Sequence, residues 1–562
     1  MLAFLGMQLA FYLAHPLQAE ADQSMYLSMA DLLLCGRLPY VDCYDNNPPL
    51  IIYLNVIPIV VARAFHLLIP LAAKLVMFAI SLLSCCLAFL LTRGGGKAAG
   101  NALSSPESNG DINIGWLFAA AILGFATFNE QQMMDLGQRE HIFAILYFPY
   151  LLLRTLRYRE GVNDGSSAAP GRSLAISVGV LAGLGIALKH YFALIALLVE
   201  ICLCVYGRTV RKVFFGSPEN WACAAVIALY LLHFLFLPRG MLEGFFQVLL
   251  PIYKAGYKYY TNSFIFNFMT FWRHDFAYSF LFSLIAVLIV VFVESPRRAL
   301  HTYKSSITPL LISLLAFTWA SAAIFFLAGQ SWQYHMVPVR MGWLMLAFVE
   351  SACLLRGLAL LFPRYGLVTA LAALLPLAYA GLALVDYKER FDSQAESSGV
   401  YDLAFLGYKG TAYNWEVNPA LAKIVSNTTK EDTVLFLSTA MAPGYPAMIQ
   451  SERRPGSRFI HGMPFIVLDF VCTLNREEEE KLGAKNMTAA QVKNKEHFDK
   501  LRHQFLLWYG SDIKKYKPKL IFIQQIPMED ILRQAGFQKT YMADYKLIEK
   551  DLGLNIYKRE AK

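Results

Sequence analysis

Charged residues are scarce in this chain: they make up 16% of its 562 residues, against roughly 25% in a soluble globular protein. Hydrophobic residues account for 56%, which is more apolar surface than a water-soluble core of this size hides. This composition argues against a soluble enzyme, a disordered chain and a nucleic-acid-binding protein. It predicts a polytopic α-helical membrane protein, with the lipid bilayer as its first partner.

Cysteine is also sparse and unpatterned. The nine cysteines follow neither the spacing of metal ligands nor the rhythm of a disulfide scaffold. Beyond residue 385 the chain contains only Cys472, so this part forms no internal disulfide. No cofactor follows from the cysteines.

The charges that are present concentrate in the C-terminal part. Residues 386–562 contain 26 Lys+Arg and 23 Asp+Glu, about half of the charged residues of the chain. We therefore expect a transmembrane domain over 1–385 and a soluble domain over 386–562. Short apolar runs at 433–439 and 520–524 predict buried strands, and 545–548 and 554–558 predict a hairpin around Gly553. With predicted helices between these runs, the tail is expected to be a small α/β domain.

The apolar runs of the first domain predict about eleven transmembrane helices, because a bilayer core needs about 20 apolar residues per helix. The first run is interpreted as a retained helix, since neither a basic segment before it nor a clean cleavage site marks a signal peptide. The predicted spans lie near residues 1–19, 70–92, 115–129, 141–153, 173–188, 191–207, 221–238, 276–293, 307–328, 336–355 and 365–385.

The distribution of basic residues predicts how these spans are oriented in the membrane. With a cytoplasmic N-terminus, the predicted inner loops hold 14 Lys+Arg, whereas the longer outer loops hold 8. Counting 48–68 as a further span would reverse this bias, so we interpret it as an interfacial or re-entrant helix on the outer face. The outer loops 20–69 and 239–275 and the tail are then all extracytoplasmic.

Three glycines mark the predicted fifth span: Gly179, Gly183 and Gly185. A nucleotide-binding loop needs a strand before the glycines and a helix after them, and neither is predicted here. Small residues four apart suit the close approach of two helices. We therefore expect this helix to pack tightly against a neighbour.

The first outer loop contains a series of acidic, aromatic and proline residues. Taken singly, its carboxylates are most simply solvated, with Asp22 as a helix cap; taken together, they form a pattern. In order, the residues are Glu20, Asp22, Tyr26, Gly36, Pro39, Tyr40, Asp42, Asp45, Pro48 and Pro49.

This pattern resembles the first outer loop of the GT-C superfamily of membrane glycosyltransferases. The resemblance is to the group containing lipid A aminoarabinose transferases and protein O-mannosyltransferases, which use polyprenyl-phosphate-linked sugars. It implies that Asp22 is the catalytic carboxylate and that Glu20, Asp42 and Asp45 are further candidates. Gln23 replaces a second acid and Asn47 replaces a lysine found in many relatives, so a divalent metal ion stays an open question.

The second outer loop, 130–140, leads directly into a predicted span. In the GT-C pattern an acidic residue at the start of this helix faces the first-loop aspartate; Glu140 fits best, with Asp135 as the alternative. If a metal binds, the resemblance implies Asp22 and Glu140 as ligands. Arg139 and His141 are candidates for the donor phosphate, because a guanidinium binds phosphate in a bidentate way. The simpler interpretation is that Arg139 pairs with Asp135 or Glu140.

Four further residues at outer helix ends are candidates for the donor phosphate or its lipid. Lys189 and His190 follow the glycine-rich helix, although Lys189 equally suits contact with lipid headgroups. His335 lies in a turn rich in aromatic residues, and Arg340 begins a span, where an unpaired charge avoids lipid.

The outer loop 239–275 interleaves basic and aromatic residues. This composition is typical of an interfacial aromatic belt, and it also suits a groove for an anionic lipid-linked sugar. Lys254, Lys258 and Arg273 are the candidates here.

Together, the resemblance and the outer-face polar residues predict a sugar transferase. The donor is a polyprenyl-phosphate sugar, the acceptor is a glycan, lipid or protein, and inversion at the sugar carbon is expected from the resemblance. The expected location is the bacterial plasma membrane, in the service of the cell envelope. The alternative is a transporter or flippase for lipid-linked sugars, but no duplicated hydropathy pattern favours it.

Overall fold

A computed structural model of the chain shows a mostly helical protein with a small sheet near the C-terminus. Glu20 and the predicted span 365–385 lie outside the residues that it describes. Those residues are 2–14, 16–17, 19, 21–94, 114–131, 135–162, 170–207, 210–294, 307–361, 419–439, 441, 443–551 and 553–560.

The described helices before the tail follow one another in short succession. We number them α1 (Leu2–Ala14), α2 (Ala21–Leu34), α3 (Pro49–Phe65), α4 (Ile69–Gly94), α5 (Ile114–Gln131), α6 (Arg139–Val162), α7 (Arg172–Ala187), α8 (Phe192–Gly207), α9 (Val210–Phe215), α10 (Pro218–His233), α11 (Arg239–Leu242), α12 (Leu250–Tyr260), α13 (Phe264–Phe271), α14 (Ala277–Leu288), α15 (Ile307–Ala328) and α16 (Val337–Leu361).

The chain divides into two compact units that each combine distant segments. Unit 1 consists of Met1–Tyr12, Lys74–His233 and Asn262–Asp392. Unit 2 consists of Leu13–Ala73, Phe234–Thr261 and Ser393–Lys562. The first outer loop, the segment carrying α11 and α12, and the tail therefore fold together in unit 2.

Five of the described helical segments are long and apolar enough to cross a membrane, by length and composition. They support an integral membrane protein, but with fewer spans than the predicted eleven. The apolar segments 115–129, 172–187 and 192–206 are shorter, and at about 1.5 Å per residue they fall below the roughly 30 Å of a bilayer core. The five segments are Ile69–Thr92, Pro218–Phe236, Phe264–Val291, Ile307–Ala328 and Gln333–Leu355.

The glycines of α7 allow it to pack closely against α10, as predicted. A Cβ atom on Gly179 would lie 2.2 Å from the carbonyl oxygen of Glu219, and one on Gly183 would lie 2.8 Å from that of Cys223. Gly185 faces α6 instead, where its Cβ would lie 3.3 Å from the Cβ of Leu146. Larger residues would force these helices apart, so α7 is fixed between α6 and α10.

In unit 2, α2 packs against α3 and against a helix of the tail. The segment interpreted as an interfacial or re-entrant helix is thus a regular helix, α3, that begins at Pro49. Tyr44, between α2 and α3, contacts Phe459 of the tail edge to face, with ring centroids 5.2 Å apart. The predicted outer connection 239–275 is largely helical, because α11, α12 and α13 occupy most of it.

The tail is an α/β domain, as predicted. Its elements are α17 (Pro419–Asn427), β1 (Thr433–Leu437), α18 (Gly444–Ser451), β2 (Arg454–Pro455), α19 (Met463–Leu482), α20 (Ala489–Tyr516), β3 (Leu520–Gln524), α21 (Asp530–Gln534), α22 (Phe537–Tyr541), β4 (Tyr545–Asp551) and β5 (Leu554–Arg559).

The sheet has the order β2-β1-β3-β5-β4. The central strands β1 and β3 are parallel, with Leu435 beside Ile521, and both are buried apolar runs. The predicted hairpin of β4 and β5 adds to β3 in antiparallel fashion and turns at Gly553, which has φ +71°. Such a positive φ suits glycine because it has no Cβ atom.

Candidate functional site

Glu140 lies at the start of α6, one residue after its first position. A turn with Gly137 at φ +77° leads into the helix, and the amide of Gln138 donates to the carbonyl of Asp135. A carboxylate in the first helical turn is favoured by the helix dipole. Glu140 is nevertheless buried, with 2% of its surface exposed, so it needs a cation nearby.

Lys189 supplies this cation. Its Nζ atom lies 2.6 Å from Oε1 of Glu140, and both side chains are buried. The close packing of Gly185 against α6 brings the end of α7, and the turn that carries Lys189, to this position. The rings of Tyr191 and Tyr334 lie 5.0 and 5.8 Å from Nζ and add a weaker attraction for the ammonium.

His335 is the third member of this buried cluster. It lies in the short 3₁₀ helix Gln333–Met336 before α16, with Nε2 3.2 Å from Nζ of Lys189 and 3.6 Å from Oε1 of Glu140. An ammonium only donates hydrogen bonds, so Nε2 of His335 accepts one and the ring proton belongs on Nδ1. The sequence-predicted residues Glu140, Lys189 and His335 are thus brought together in unit 1.

Two buried atoms of this cluster have no hydrogen-bond partner in the described part of the chain, Oε2 of Glu140 and Nδ1 of His335. The other carboxylate oxygen of Glu140, Oε1, is held by Lys189. A buried carboxylate oxygen without a donor is costly unless a ligand or water satisfies it. The cluster is therefore able to accept one hydrogen bond from a ligand hydroxyl.

Arg340 forms a second group in unit 1. Its Nε lies 3.3 Å from Oδ2 of Asp275, and its Nη1 lies 3.5 Å from Oδ2 of Asp135. The indole of Trp343 donates to Oδ1 of Asp275 over 3.1 Å. Asp275, which is 1% exposed, was not predicted as a site residue, because the sequence places it at the end of the predicted outer loop 239–275.

Three neighbours predicted to hold phosphate differ in their placement. Arg139 is half-buried, and its charge acts on Glu140. Both ring nitrogens of His141 have partners within the protein: Nε2 lies 2.9 Å from Oδ1 of Asn129, and Nδ1 accepts from the amide of Gly137, so its role toward the donor phosphate stays a prediction. The structure does not bring His190 into the buried cluster, since it is exposed and its ring lies against Tyr191.

In the first loop, Asp22 is half-buried in the first turn of α2, and the interpretation as a cap is wrong because the helix begins at Ala21. Asp42 accepts from the amide of Leu38 over 3.1 Å and so stabilises its own turn. Asp45 accepts from the side-chain amide of Asn47 over 2.7 Å. Both carboxylates thus contribute hydrogen bonds to the loop itself, and their role as further site candidates stays a prediction.

A buried histidine of the tail lies next to Asp45. Nε2 of His461 is 3.8 Å from Oδ1 of Asp45, and both side chains are almost fully buried. Burial by itself raises the pKa of Asp45, but the nearby His461 ring and the Asn47 amide outweigh it, so the pKa is lower than that of an ordinary aspartate. The first loop and the tail therefore share a buried electrostatic contact within unit 2.

The basic candidates of the 239–275 segment lie on or next to its helices. Lys254 and Arg273 are exposed, on α12 and just after α13 respectively. Lys258 lies in α12. A groove lined by these residues stays a prediction.

An ion network at the other end of α6 was not predicted. Arg154 is fully buried and donates to Glu200 of α8 over 2.6 Å and to Glu219 of α10 over 2.8 Å. Arg157 also pairs with Glu219, over 3.0 Å. Residues 154–162, which the sequence predicts as part of an inner loop, thus continue α6 to Val162. Arg154 and Arg157 are accommodated there because they pair with acids on neighbouring helices. The signal was Glu200 within an otherwise apolar predicted span.

Metal binding is not supported by a local cluster. In the parts of the chain covered by the structure, no three His, Cys, Asp or Glu side chains converge in a way that would hold a metal ion. Asp22 and Glu140 belong to different units, so their predicted joint role as ligands stays a prediction.

No protein-family model matches the chain, and no curated protein matches it. The chemistry of the site must therefore be judged from its residues.

Proposed function

We propose that this protein transfers a sugar from a polyprenyl-phosphate donor to an acceptor on the extracytoplasmic face of the bacterial plasma membrane. The observation that carries the proposal is the buried Glu140–Lys189–His335 cluster in the unit that holds most of the apolar helices. Ionisable groups buried among apolar helices are costly and tend to mark a function. The resemblance of the first loop to GT-C enzymes indicates the type of reaction in which we propose that the cluster takes part.

The proposed reaction is a displacement at the anomeric carbon. A carboxylate takes the proton of the acceptor hydroxyl, whose oxygen then forms the new bond to that carbon. The bond from the carbon to the phosphate oxygen breaks, and the polyprenyl phosphate leaves with the electron pair. Asp22 is the proposed base and Glu140 the proposed co-catalytic acid, both as the resemblance implies.

Cations stabilise the leaving phosphate in this proposal. Lys189, Arg139 and Arg340 supply positive charge, which Glu140 at Lys189 and Asp135 and Asp275 at Arg340 partly balance. His335 orients Lys189 through its Nε2 atom. A divalent metal at Asp22 and Glu140 is a variant of the same proposal.

We also propose that the shorter apolar helices at 115–129, 172–187 and 192–206 cross the membrane together with the five longer ones, and that the tail lies on the extracytoplasmic side. Two observations support it: the excess of basic residues in the predicted inner loops, and the joint folding of the first loop and the tail in unit 2. A cysteine at Ser511, which is exposed on α20, tests the direction in a variant lacking the exposed Cys35. Protection from an impermeant thiol reagent in intact cells would contradict the extracytoplasmic tail.

The activity is tested with labelled polyprenyl-phosphate sugars and the purified full-length protein. We expect label to appear in an acceptor, and Asp22→Asn to lower the rate at least a hundredfold, the usual scale for loss of a general base. Glu243→Gln, which removes an exposed carboxylate paired with Arg239, is the control and is expected to keep the rate.

Two outcomes would oppose this proposal. Undiminished transfer by a correctly folded Asp22→Asn protein would remove Asp22 from the base role. Movement of the intact labelled lipid between leaflets of a vesicle, without release of polyprenyl phosphate, would favour the transporter alternative.

A further inference from the structure

A second group of charged residues surrounds a cleft in unit 2. The cleft has a volume of about 620 Å³, within the range of roughly 300–1,000 Å³ of small-molecule sites. One wall is formed by α2 and the end of α3, and the other by α18, β2 and the turn before β1. The cleft therefore lies between the first loop and the tail, both of which belong to unit 2.

Two arginines from opposite walls share one carboxylate in this cleft. Nη2 of Arg63 lies 2.6 Å from Oδ1 of Asp31, and Nε of Arg454 lies 3.1 Å from Oδ2 of the same residue. One carboxylate balances only one guanidinium, so the three groups carry a net positive charge. Both arginine side chains are about half exposed, at 47% and 50%, whereas Asp31 is 16% exposed.

The remaining charges of the cleft do not cancel this excess. Lys430 pairs with Glu452 across the cleft wall. Arg453 is buried and donates to the hydroxyl and carbonyl oxygens of Thr428 and to the carbonyl of Ser451. Its hydrogen bonds therefore stabilise the cleft wall and are not directed at a ligand. Glu431 is exposed at the edge. Arg63 and Arg454 are thus the cations whose guanidinium edges face the cleft.

The surface beside the cleft is apolar. On α3, Ile57 and Val60 are each 49% exposed, and Arg63 follows Val60 by about one turn. An apolar helical face next to basic residues is the pattern with which a protein binds an anionic membrane surface. Guanidinium groups match the oxygens of carboxylates and phosphates, and a phosphate has enough oxygens to accept from two guanidinium groups at once.

We propose that the cleft binds a phosphate group, held between Arg63 and Arg454, with Asp31 as the internal group that competes with it. An anionic lipid headgroup is one source of this phosphate and a soluble phosphorylated molecule is the other. The site is separate from the Glu140 cluster and does not depend on sugar transfer. Asp31 positions the two arginines, and an incoming phosphate takes its place on their outer nitrogens.

The test measures binding by the full-length protein in nanodiscs, with phosphatidylglycerol and inorganic phosphate as the two probes. Arg63→Gln and Arg454→Gln are each expected to weaken binding about tenfold, the loss of one charged hydrogen bond. Asp31→Asn is expected to strengthen binding, because it frees both guanidinium groups. Arg239→Gln, which removes an exposed cation of the same unit outside the cleft, is expected to change nothing.

The opposite sign expected for Asp31→Asn separates a ligand site from a merely structural ion pair. Preference for phosphatidylglycerol assigns the site to a headgroup, and competition by inorganic phosphate without this preference assigns it to a soluble ligand. Unchanged binding in both arginine variants, or weaker binding in Asp31→Asn, would overturn the proposal. If Arg454→Gln does not fold, Arg454→Lys keeps the charge but loses the fork, and partial weakening is expected.

Discussion

Lys189 donates a hydrogen bond of 2.6 Å to Glu140, although 49 positions separate the two residues. His335, a further 146 positions along the chain, lies 3.2 Å from the same Nζ atom. Charged groups so distant in sequence meet in a buried place only through the fold of unit 1. The cluster therefore links the start of α6, the end of α7 and the start of α16.

Because Glu140 and Lys189 are both buried, removing one charge alone leaves the other uncompensated. Glu140→Gln and Lys189→Met are each expected to lower the free energy of unfolding by about 3–5 kcal/mol. The double variant is expected to recover most of this loss, since neither charge remains. Unfolding of the purified protein in detergent measures the effect, with Glu243→Gln as a control within about 0.5 kcal/mol.

The same variants separate folding from activity. If the cluster only stabilises unit 1, the double variant transfers sugar at the normal rate. Under the proposed function it folds but stays inactive, because the second oxygen of Glu140 and the ammonium of Lys189 are both lost. A double variant that is stable and active would contradict the assignment of this cluster.

Replacing Asp275 is expected to destabilise the protein more than replacing Asp135, the other acidic partner of Arg340. Asp275→Ala leaves Arg340 and Trp343 without their buried acceptor and is expected to cost about 1–3 kcal/mol. Asp135→Ala removes a longer contact with a side chain that is 19% exposed, and about 0–1 kcal/mol is expected. Unfolding curves of the two variants measure the free energy that each substitution costs. Equal costs would show that the burial of the acid does not determine how much it stabilises the protein.

The Arg154 network is expected to stabilise the protein without taking part in its chemistry. Arg154 follows Glu140 by about 21 Å along α6, at about 1.5 Å per residue. Arg154→Met leaves Glu200 and Glu219 without this cation and is expected to cost about 3–5 kcal/mol. The fraction that remains folded is expected to keep its transfer rate. Arg172→Gln, which changes an exposed arginine, serves as the control.

Acidification is expected to lower the stability of unit 2, because Asp45 becomes protonated. Since the pKa of Asp45 is lowered in the folded chain, its ionised form contributes stability above the unfolded value of about 3.9. That contribution is lost as the pH falls below this value and through the lower folded pKa. Thermal midpoints of the protein and of Asp45→Asn are expected to differ by a constant amount above pH 5 and to converge below pH 4. A difference that grows on acidification would contradict this.

Much of the fold was predictable where local pattern decides it. The strands β1 and β3 are unbroken apolar runs, and the β4–β5 turn needs Gly553, so the α/β tail was recognisable. The extent of α6 was not, because its last turns depend on Glu200 and Glu219, which meet Arg154 only after folding. The helices α11 to α13 were missed because basic and aromatic residues look like a loop at a membrane surface.

The sequence indicated which residues belong to the site better than it indicated which of them contact each other. Glu140, Lys189 and His335 were each expected at outer helix ends, but Lys189 was assigned to a phosphate and it contacts Glu140. The partners of His141 could not be foreseen, since Asn129 reaches it from another helix. Asp45 shows the same limit, because its neighbour His461 is more than four hundred residues away.

The shared carboxylate of Asp31 also has a consequence for biosynthesis. Arg454, its second partner, is made 423 positions later, which corresponds to roughly 20–85 s of translation. During that time Asp31 and Arg63 are present without the tail that covers them. Unit 2 is therefore completed only when the chain is nearly finished, and a stop codon before residue 454 leaves this unit unable to close.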